Sequence, residues 1–432
     1  MIGQDKRSLR IGVAGLGTVG QGLLRLIARR PDFVPGGGRV EVTAVSARRR
    51  GAVRNVDTSQ MAWFDDPVAL ARCPDIDVFV ELVGGSEGVA RQAVTAALES
   101  GKAVVTANKA LIAQHGAELA HFAESRGLAL RFEAAVMGGV PAVKILREAL
   151  VGDEIEAVAG ILNGTSNYIL TEMEASGLDF DRILAQAQTL GYAEADPAAD
   201  IGGWDAGHKI AILAALAFGG APEGSRVEVE GIESVELIDI RLAGALGFRI
   251  KLIAMARKGR DGVRVSVHPT LIPLDHPLAR AAGALNALFI HGAEVGELFI
   301  QGPGAGAGPT AAAVAADIAD VIANPKRPVF QSPAMSLGQG TGPRPARERE
   351  GVYIRLMVRD EPGVVAAISE TLAEGGVSID SFLQKRLEDV TSVPIVLTTH
   401  PAEAAAITGT LARLAALPCM TQSPRLMRLA RI

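Results

Sequence analysis

The sequence predicts an α/β chain in three parts: a doubly wound parallel-sheet unit, an α+β unit, and a small ferredoxin-like module. Three observations carry this. Up to about residue 150, short β-branched runs alternate with longer helical ones, the pattern of βαβ units around a parallel sheet. From 151, strands follow one another directly and favour antiparallel pairing. After 350 the order is strand, helix, strand, strand, helix. The 432 residues suit about three domains, and 48% hydrophobic with 4% aromatic content predicts aliphatic cores.

In the first unit, residues 1–150, strands are expected at Ile11 to Ala14, Val40 to Val45, Val78 to Val83, Ala103 to Thr106 and Leu128 to Phe132. Helices are expected at Leu23 to Arg29, Val89 to Glu99 and Ala117 to Arg126. The second unit, 151–301, opens with a strand at Ile155 to Leu162. Helices follow near Ser166 to Ala175, Asp179 to Thr189 and Asp205 to Phe218. Strands then come at Arg249 to Arg257, Val263 to Thr270, Ala287 to His291 and Glu297 to Gln301, the first two joined by a turn at Lys258 to Gly262. A small-residue helix, Thr310 to Ile322, closes this part. The segment from Asn324 to Glu350, rich in Pro, Gly, Ser, Arg and Glu, reads as a linker with its core at 326–350. The third unit, 351–432, places elements at Tyr353 to Arg359, Pro362 to Gly375, Ser378 to Lys385, Ser392 to Thr399 and Pro401 to Leu417.

Composition narrows the function classes. Lys+Arg 43 against Asp+Glu 48 gives a net charge of −5, which argues against a nucleic-acid binder. Two cysteines, Cys73 and Cys419, make neither a disulfide framework nor a Cys-rich zinc site, so a reducing compartment is expected. The start, MIGQDKRSLR, shows no apolar signal-peptide core. The most apolar helical stretch, Ile210 to Phe218, falls short of the roughly 20 residues that span a bilayer. A soluble, cytoplasmic protein with no nucleic-acid or membrane partner is expected.

Gly15-Leu16-Gly17-Thr18-Val19-Gly20 directly follows the first strand and opens a helix. Gly15 suits the tight turn, Gly17 a close approach of pyrophosphate to the backbone, and Gly20 tight helix–strand packing. The helix start then favours an anion. The second strand ends Ser46-Ala47-Arg48-Arg49-Arg50, without the Asp or Glu that commonly accepts from a ribose 2′-hydroxyl. Arg48 can pair a 2′-phosphate, which favours NADP(H) and leaves NAD(H) open; a solvated basic turn is the alternative.

Two lysines stand out. Lys109 follows Thr106-Ala107-Asn108 at the carboxyl end of a strand, the edge where open α/β sheets place ligands. Lys209 opens an apolar helix with Asp205 one turn before it, on the same face; a site wall and a surface ion pair are both compatible with that spacing. Upstream, Gly191 to Asp200 gathers Glu194, Asp196 and Asp200 on a loop. Such carboxylates suit an ammonium group or a metal, or serve as caps and turn residues.

At these residues the chain resembles homoserine dehydrogenases of the monofunctional type that carry a C-terminal ACT module. The resemblance runs along nearly the whole length and rests on several motifs in order: Gly15 to Gly20, Ala107-Asn108-Lys109, Glu133 to Pro141, Asn163-Gly-Thr-Ser-Asn-Tyr-Ile, Gly191-Tyr-Ala-Glu194-Ala-Asp196-Pro, Asp205 to Lys209, and Gln301-Gly-Pro-Gly-Ala-Gly306. Fourteen residues precede Gly15, and no kinase-like region is expected ahead of the glycine loop.

The resemblance implies a Rossmann-type domain completed by about 302–325, an α+β catalytic and dimerisation domain, and an ACT regulatory domain. It implies reversible NAD(P)-dependent interconversion of L-homoserine and L-aspartate 4-semialdehyde, a step of threonine, methionine and isoleucine biosynthesis. Lys209 is then the proton donor and acceptor, Lys109 holds cofactor and substrate, and Asp205 orients Lys209. Gly191, Glu194 and Asp200 would receive the substrate. Gly15, Gly17, Thr18, Val19, Gly20, Arg48, Thr106, Lys109 and Gly306 would contact the cofactor. Glu133 with the carbonyls of Val136, Gly138 and Val140 matches a loop for a monovalent cation, sodium or potassium; by chemistry alone Glu133 can equally be a capping acid. Asp360 and Gly363 match the effector turn of ACT modules, with L-threonine the expected effector and a homodimer or homotetramer the expected assembly. A non-catalytic amino-acid sensor on a dehydrogenase scaffold is the alternative, disfavoured by intact Lys109, Glu194, Asp205 and Lys209. A 2-hydroxy-acid dehydrogenase would use a His with a carboxylate partner, and none of the seven histidines stands in a matching motif.

Overall fold

In a computed structural model of the chain, residues 8–259, 262–334, 349–384 and 392–430 are described. The first layer is a six-stranded parallel sheet: β1 (Leu9–Ala14), β2 (Val40–Ser46), β3 (Ala62–Phe64), β4 (Val78–Glu81), β5 (Ala103–Thr106) and β6 (Leu130–Arg131). Its order is β3-β2-β1-β4-β5-β6, so the strand order reverses between β1 and β4, where a ligand crevice forms. Helices α1 (Thr18–Arg29), α2 (Pro67–Arg72), α3 (Val89–Glu99) and α4 (Lys109–Ser125) connect the strands. Period-two alternation splits the strand residues between two cores. Val78 and Val80 join Leu23 and Ile27 of α1 on one face, and Phe79 joins Leu98 and Leu111 on the other.

Several expected boundaries move, the largest being that of the helix read as Ala117 to Arg126, which begins at Lys109 because Asn108 caps it there. The strand read as Val78 to Val83 stops at Glu81, because the buried Glu81 carboxylate accepts the amides of Val83 and Gly84 and bends the chain into a turn. The first helix begins at Thr18, inside the glycine loop. The short β3 was not expected from the sequence.

After α5 (Ala142–Lys144) and a π-helical turn at Ile145–Ala149 come β7 (Ile155–Ile161), α6 (Gly164–Ser176), α7 (Phe180–Thr189), α8 (Ala198–Ile201), α9 (Trp204–Phe218), β8 (Glu228–Val229) and α10 (Leu237–Ala245). Next are β9 (Phe248–Gly259), β10 (Gly262–Pro273), α11 (Pro277–Arg280), β11 (Leu285–Gly292) and β12 (Gly296–Pro303). Part of the expected Lys258 to Gly262 turn lies outside the described residues. Helix α9 is buried almost all round, as a helix without a polar face must be. Helix α12 (Ala307–Ala323) leaves this unit and packs on the nucleotide sheet: Val314 and Ile318 share a core with Leu23 and Ile27.

The expected linker divides into parts. Val329 and Phe330 are buried, Phe330 against Phe132 with ring centroids 5.4 Å apart. Glu124 accepts the amides of Val329 and Ala334, so 326–334 belong to the nucleotide layer. Residues 335–348 lie outside the described residues. Beyond them are β13 (Arg349–Glu350), β14 (Val352–Val358), α13 (Val364–Glu374), β15 (Ile379–Gln384), β16 (Val393–Thr399), β17 (Ala402–Glu403), α14 (Ala404–Ala415) and β18 (Arg425–Leu429). Lys385, expected to end a strand, is also outside the described residues.

The final strand, unforeseen from sequence, joins the second and third units. It pairs antiparallel with β14 and parallel with β10, Thr270 facing Arg428 and Leu271 facing Leu429. One sheet therefore runs β12-β11-β7-β9-β10-β18-β14-β16-β15. Beside that seam Asp239 of α10 is fully buried and accepts from Arg355 Nε at 2.7 Å and Tyr353 Oη at 3.2 Å.

Candidate active site

The glycine loop shows a separate reason for each glycine. Gly15 has φ +101°, and a Cβ there would overlap the Leu82 carbonyl. A Cβ on Gly20 would overlap Gly15 O, whereas none would meet anything within 4 Å at Gly17. Gly17 is the N-cap of α1 and supplies no side-chain cap, so the amides at the helix start face open space and fit an anion. Thr18 is exposed and Val19 half-buried. Gly306, at φ +114°, precedes α12, and Gly22 of α1 lies against the Ala307 carbonyl. The return loop thus runs beside the first loop.

Arg48 is exposed just past the end of β2. Sequence reasoning missed what shapes its turn: Arg54 donates to the carbonyls of Arg49, Arg50 and Ala52 and lies over the Trp63 ring, 5.1 Å from its centroid. It also missed Glu81. Thr106, fully buried, donates its hydroxyl to Glu81 Oε2 at 2.5 Å and receives the Asn108 amide. Its side chain therefore braces the turn. Asn108 caps α4 by accepting from Leu111 N and donates to Gly85 O, which sets Lys109 at the helix start.

The two expected lysines converge on one carboxylate. Lys109 Nζ is 2.9 Å from Asp205 Oδ1 and Lys209 Nζ 2.6 Å from Asp205 Oδ2. Lys209 also donates to the Leu162 carbonyl at 2.7 Å. Lys209 and Asp205 are buried, while Lys109 keeps 41% of its side chain exposed. Burial pushes the Asp205 carboxyl up, but the charges of Lys209 and Lys109 together outweigh it and hold the group well below the usual range. Burial lowers the Lys209 ammonium, with Asp205 opposing and Lys109 reinforcing the shift. Lys109 moves the other way, raised chiefly by the Asp205 charge. One buried acid thus holds two lysines whose proton affinities move apart, the arrangement expected where one amine transfers protons and the other stays charged.

Asp200 joins this group through Asn163, which donates to Asp200 Oδ1 at 2.7 Å and to Asp205 Oδ2 at 2.9 Å. Gly191 ends the turn after α7 at φ +77°, and the neighbouring Tyr192 carbonyl accepts from Thr165 Oγ1. Glu194 is exposed, and its charge reaches Lys109. Asp196 caps Ala198 N. Among the described residues no three His, Cys, Asp or Glu side chains gather as a metal site.

Glu133 lies apart from this cluster, 2% exposed. Its carboxylate accepts Val143 N at 3.0 Å and Lys144 N at 2.8 Å. Burial first and the Asp317 charge second push its carboxyl up to about 7. The turn that follows holds Val136, Gly138 at φ +52°, and Val140, whose carbonyl accepts Ala142 N at 2.8 Å. In the C-terminal unit, Asp360 and Gly363 line a cleft of about 500 Å³ together with Arg359 and Gln384. Gly363 caps α13 at φ +91°.

Family models match this chain in the same three parts: homoserine dehydrogenase NAD-binding domain over residues 15–133, homoserine dehydrogenase over 141–319, and ACT domain over 352–418. Among its relatives, the homoserine dehydrogenase of Neisseria gonorrhoeae is 40% identical, covering 98% of this chain and 99% of that protein. That of Pseudomonas aeruginosa is 41% identical over 95% and 96%. The crystal structure of a homoserine dehydrogenase from Thiobacillus denitrificans aligns with a TM-score of 0.90 at 39% identity, covering 98% of each chain. A hyperthermophilic archaeal homoserine dehydrogenase in complex with NADPH aligns with a TM-score of 0.64 at 29% identity, covering 73% of this chain and 98% of that one. The chain belongs to the homoserine dehydrogenase family and is a nicotinamide-dependent oxidoreductase with a C-terminal ACT domain.

Proposed function

We propose that the reaction is carried by the Lys109–Asp205–Lys209 constellation, with Lys209 as the proton-transfer group. The observation that supports this most is the single buried carboxylate shared by both ammonium groups at 2.9 and 2.6 Å. A nicotinamide held by the Gly15 to Gly20 loop would supply the hydride acceptor for oxidation of the homoserine alcohol carbon and the hydride donor for reduction of the aldehyde. Lys209 takes the hydroxyl proton in oxidation and gives one to the developing alkoxide in reduction. Lys109, kept charged by Asp205, stabilises negative charge on that oxygen. Glu194 and the Gly191 backbone receive the amino-acid head, and Asp200 steadies the Asn163 side of the pocket. Oxidation needs neutral Lys209, so alkaline pH favours that direction.

The cofactor reading is NADP(H): an exposed arginine, Arg48, just past the end of β2 on a turn without an acid supports a contact to a ribose 2′-phosphate. The cation reading places sodium or potassium at Glu133 with the carbonyls of Val136, Gly138 and Val140. The donor set fits: a buried carboxylate shared with two amides still has acceptor capacity, and carbonyls carry two lone pairs each. The charge of such an ion would offset two neighbouring buried acids, Glu133 and Asp317. The effector reading places L-threonine in the cleft of Asp360 and Gly363, with association of the ACT modules in a homodimer or homotetramer. No helix among the described residues is long and apolar enough to cross a membrane, and a cytoplasmic location fits the biosynthetic role.

The test is oxidation of NADPH with L-aspartate 4-semialdehyde, repeated with NADH, with potassium or sodium varied, and with L-threonine added. Turnover preferring NADPH and falling with threonine is the expected result. Turnover unaffected by threonine would remove the effector reading. Absence of turnover in folded protein supplied with the cation would overturn the enzyme reading and favour the sensor.

A further inference from the structure

An ammonium group has three N–H donors, and the fold fixes where two of those of Lys209 go: Asp205 Oδ2 and the Leu162 carbonyl. Each acceptor is gripped a second time by a side-chain amide. Asn163 Nδ2 donates to Asp205 Oδ2 at 2.9 Å, and Asn286 Nδ2 donates to Leu162 O at 3.1 Å. Asn163 and Asn286 are 4% and 1% exposed. We propose that Asn163 and Asn286 are positioning residues that clamp the two acceptors of the Lys209 ammonium, leaving its third N–H for the substrate oxygen. This rests on the reading of Lys209 as the proton-transfer group.

Asn163 also caps α6 by accepting Ser166 N at 2.8 Å. Capping alone needs no amide, since Ser, Thr or Asp would serve. Only an amide caps the helix and at the same time donates to Asp200 and Asp205; an aspartate would set a third carboxylate against those two. Asn286 argues similarly. Its Oδ1 is buried without a hydrogen-bond partner among the described residues, a costly condition that a leucine of similar size would avoid. The donor to Leu162 is what the amide provides in exchange. A Cβ on Gly304 would overlap the Asn286 carboxamide, so the glycine-rich return loop closes directly over it and restricts its rotamer. The charged and titratable groups around Lys209 are Asp205, Asp200, Lys109 and His208. None of these replaces the Leu162 carbonyl as an acceptor fixed by the backbone.

The test uses the full chain with Asn286→Leu and Asn163→Ser, the latter keeping a helix cap. Aldehyde reduction with NADPH is followed across pH, and NADPH binding is measured by fluorescence. The expected result is a fall in kcat of about tenfold or more with NADPH affinity within about twofold. The alkaline limb of the kcat profile should move to lower pH, because hydrogen bonds that favour the charged amine are weakened. An unmoved limb overturns the proposal, whether kcat is unchanged or falls only in step with cofactor binding. If Asn286→Leu does not fold, Asn163→Ser decides alone. Lys209→Ala separates the two levels: retained turnover there overturns the underlying reading. Loss of turnover there, with both asparagine variants behaving as wild type, overturns the clamp alone.

Discussion

Arg355→Met probes the joint between the ACT domain and the catalytic unit. The Arg355 side chain is 4% exposed and gives Nε to Asp239, whose side chain is fully buried, and a second nitrogen to Glu236 at 2.6 Å. Methionine fills much of the space but leaves the Asp239 carboxylate with the Tyr353 hydroxyl and a long contact from Glu236 N at 3.4 Å. Breaking one side of a buried pair costs about 3–5 kcal/mol, whereas the Glu236 half, more than half exposed, adds little. Burial already pushes Asp239 up, with Arg355 opposing, so removing Arg355 raises it further. A carboxyl raised in the folded state stabilises below its unfolded pKa and loses that contribution as pH rises through the folded one. The variant's penalty should therefore be largest at neutral pH and shrink on acidification. Scanning calorimetry of the full chain, in a cycle with Asp239→Asn, measures this; a coupling of about 2–3 kcal/mol is expected. A loss within about 0.5 kcal/mol, as at an ordinary surface site, or the same loss in the Asp239→Asn background, would refute the reasoning.

Asp205→Asn removes the countercharge shared by both lysines. Reduction should fall by about a hundredfold, with its alkaline limb displaced to lower pH as burial and Lys109 act on Lys209 against the Asp200 charge alone; a limb left in place in steady-state profiles would contradict the assignment. Arg48→Ala should raise the KM for NADPH about tenfold with little change for NADH, and equal effects on both would count against a phosphate contact. Asp360→Ala should weaken threonine inhibition in dose–response assays, and an unaltered curve would move the effector elsewhere.

Much of the nucleotide layer was legible because its signals are local. The turn glycines of Gly15 to Gly20 sit in one short segment, and the buried strands show as β-branched runs. Asp205 and Lys209 were readable for the same reason, one helical turn apart. Long-range pairing was not. Asn163 was visible within a motif, but its carboxylate partners lie 37 and 42 residues away, and the Leu162 carbonyl carries no side-chain signature. Helix α10 hides because its central acid, Asp239, is neutralised by Arg355, 116 residues later. Strand β18 is defined by two neighbours from different units. For the same reason the Pro/Gly-rich stretch reads as a linker between separate units, whereas β18 joins β14 of the third unit to β10 of the second in one sheet.

If Lys209 moves the proton without holding the cofactor, its removal spares NADPH binding and stops turnover. Comparing Lys209→Ala with wild type for NADPH binding and for turnover of L-aspartate 4-semialdehyde tests this most directly. The expected result is NADPH affinity within about twofold and turnover reduced at least a hundredfold. Turnover close to wild type, or loss of NADPH binding in parallel with activity, would contradict it.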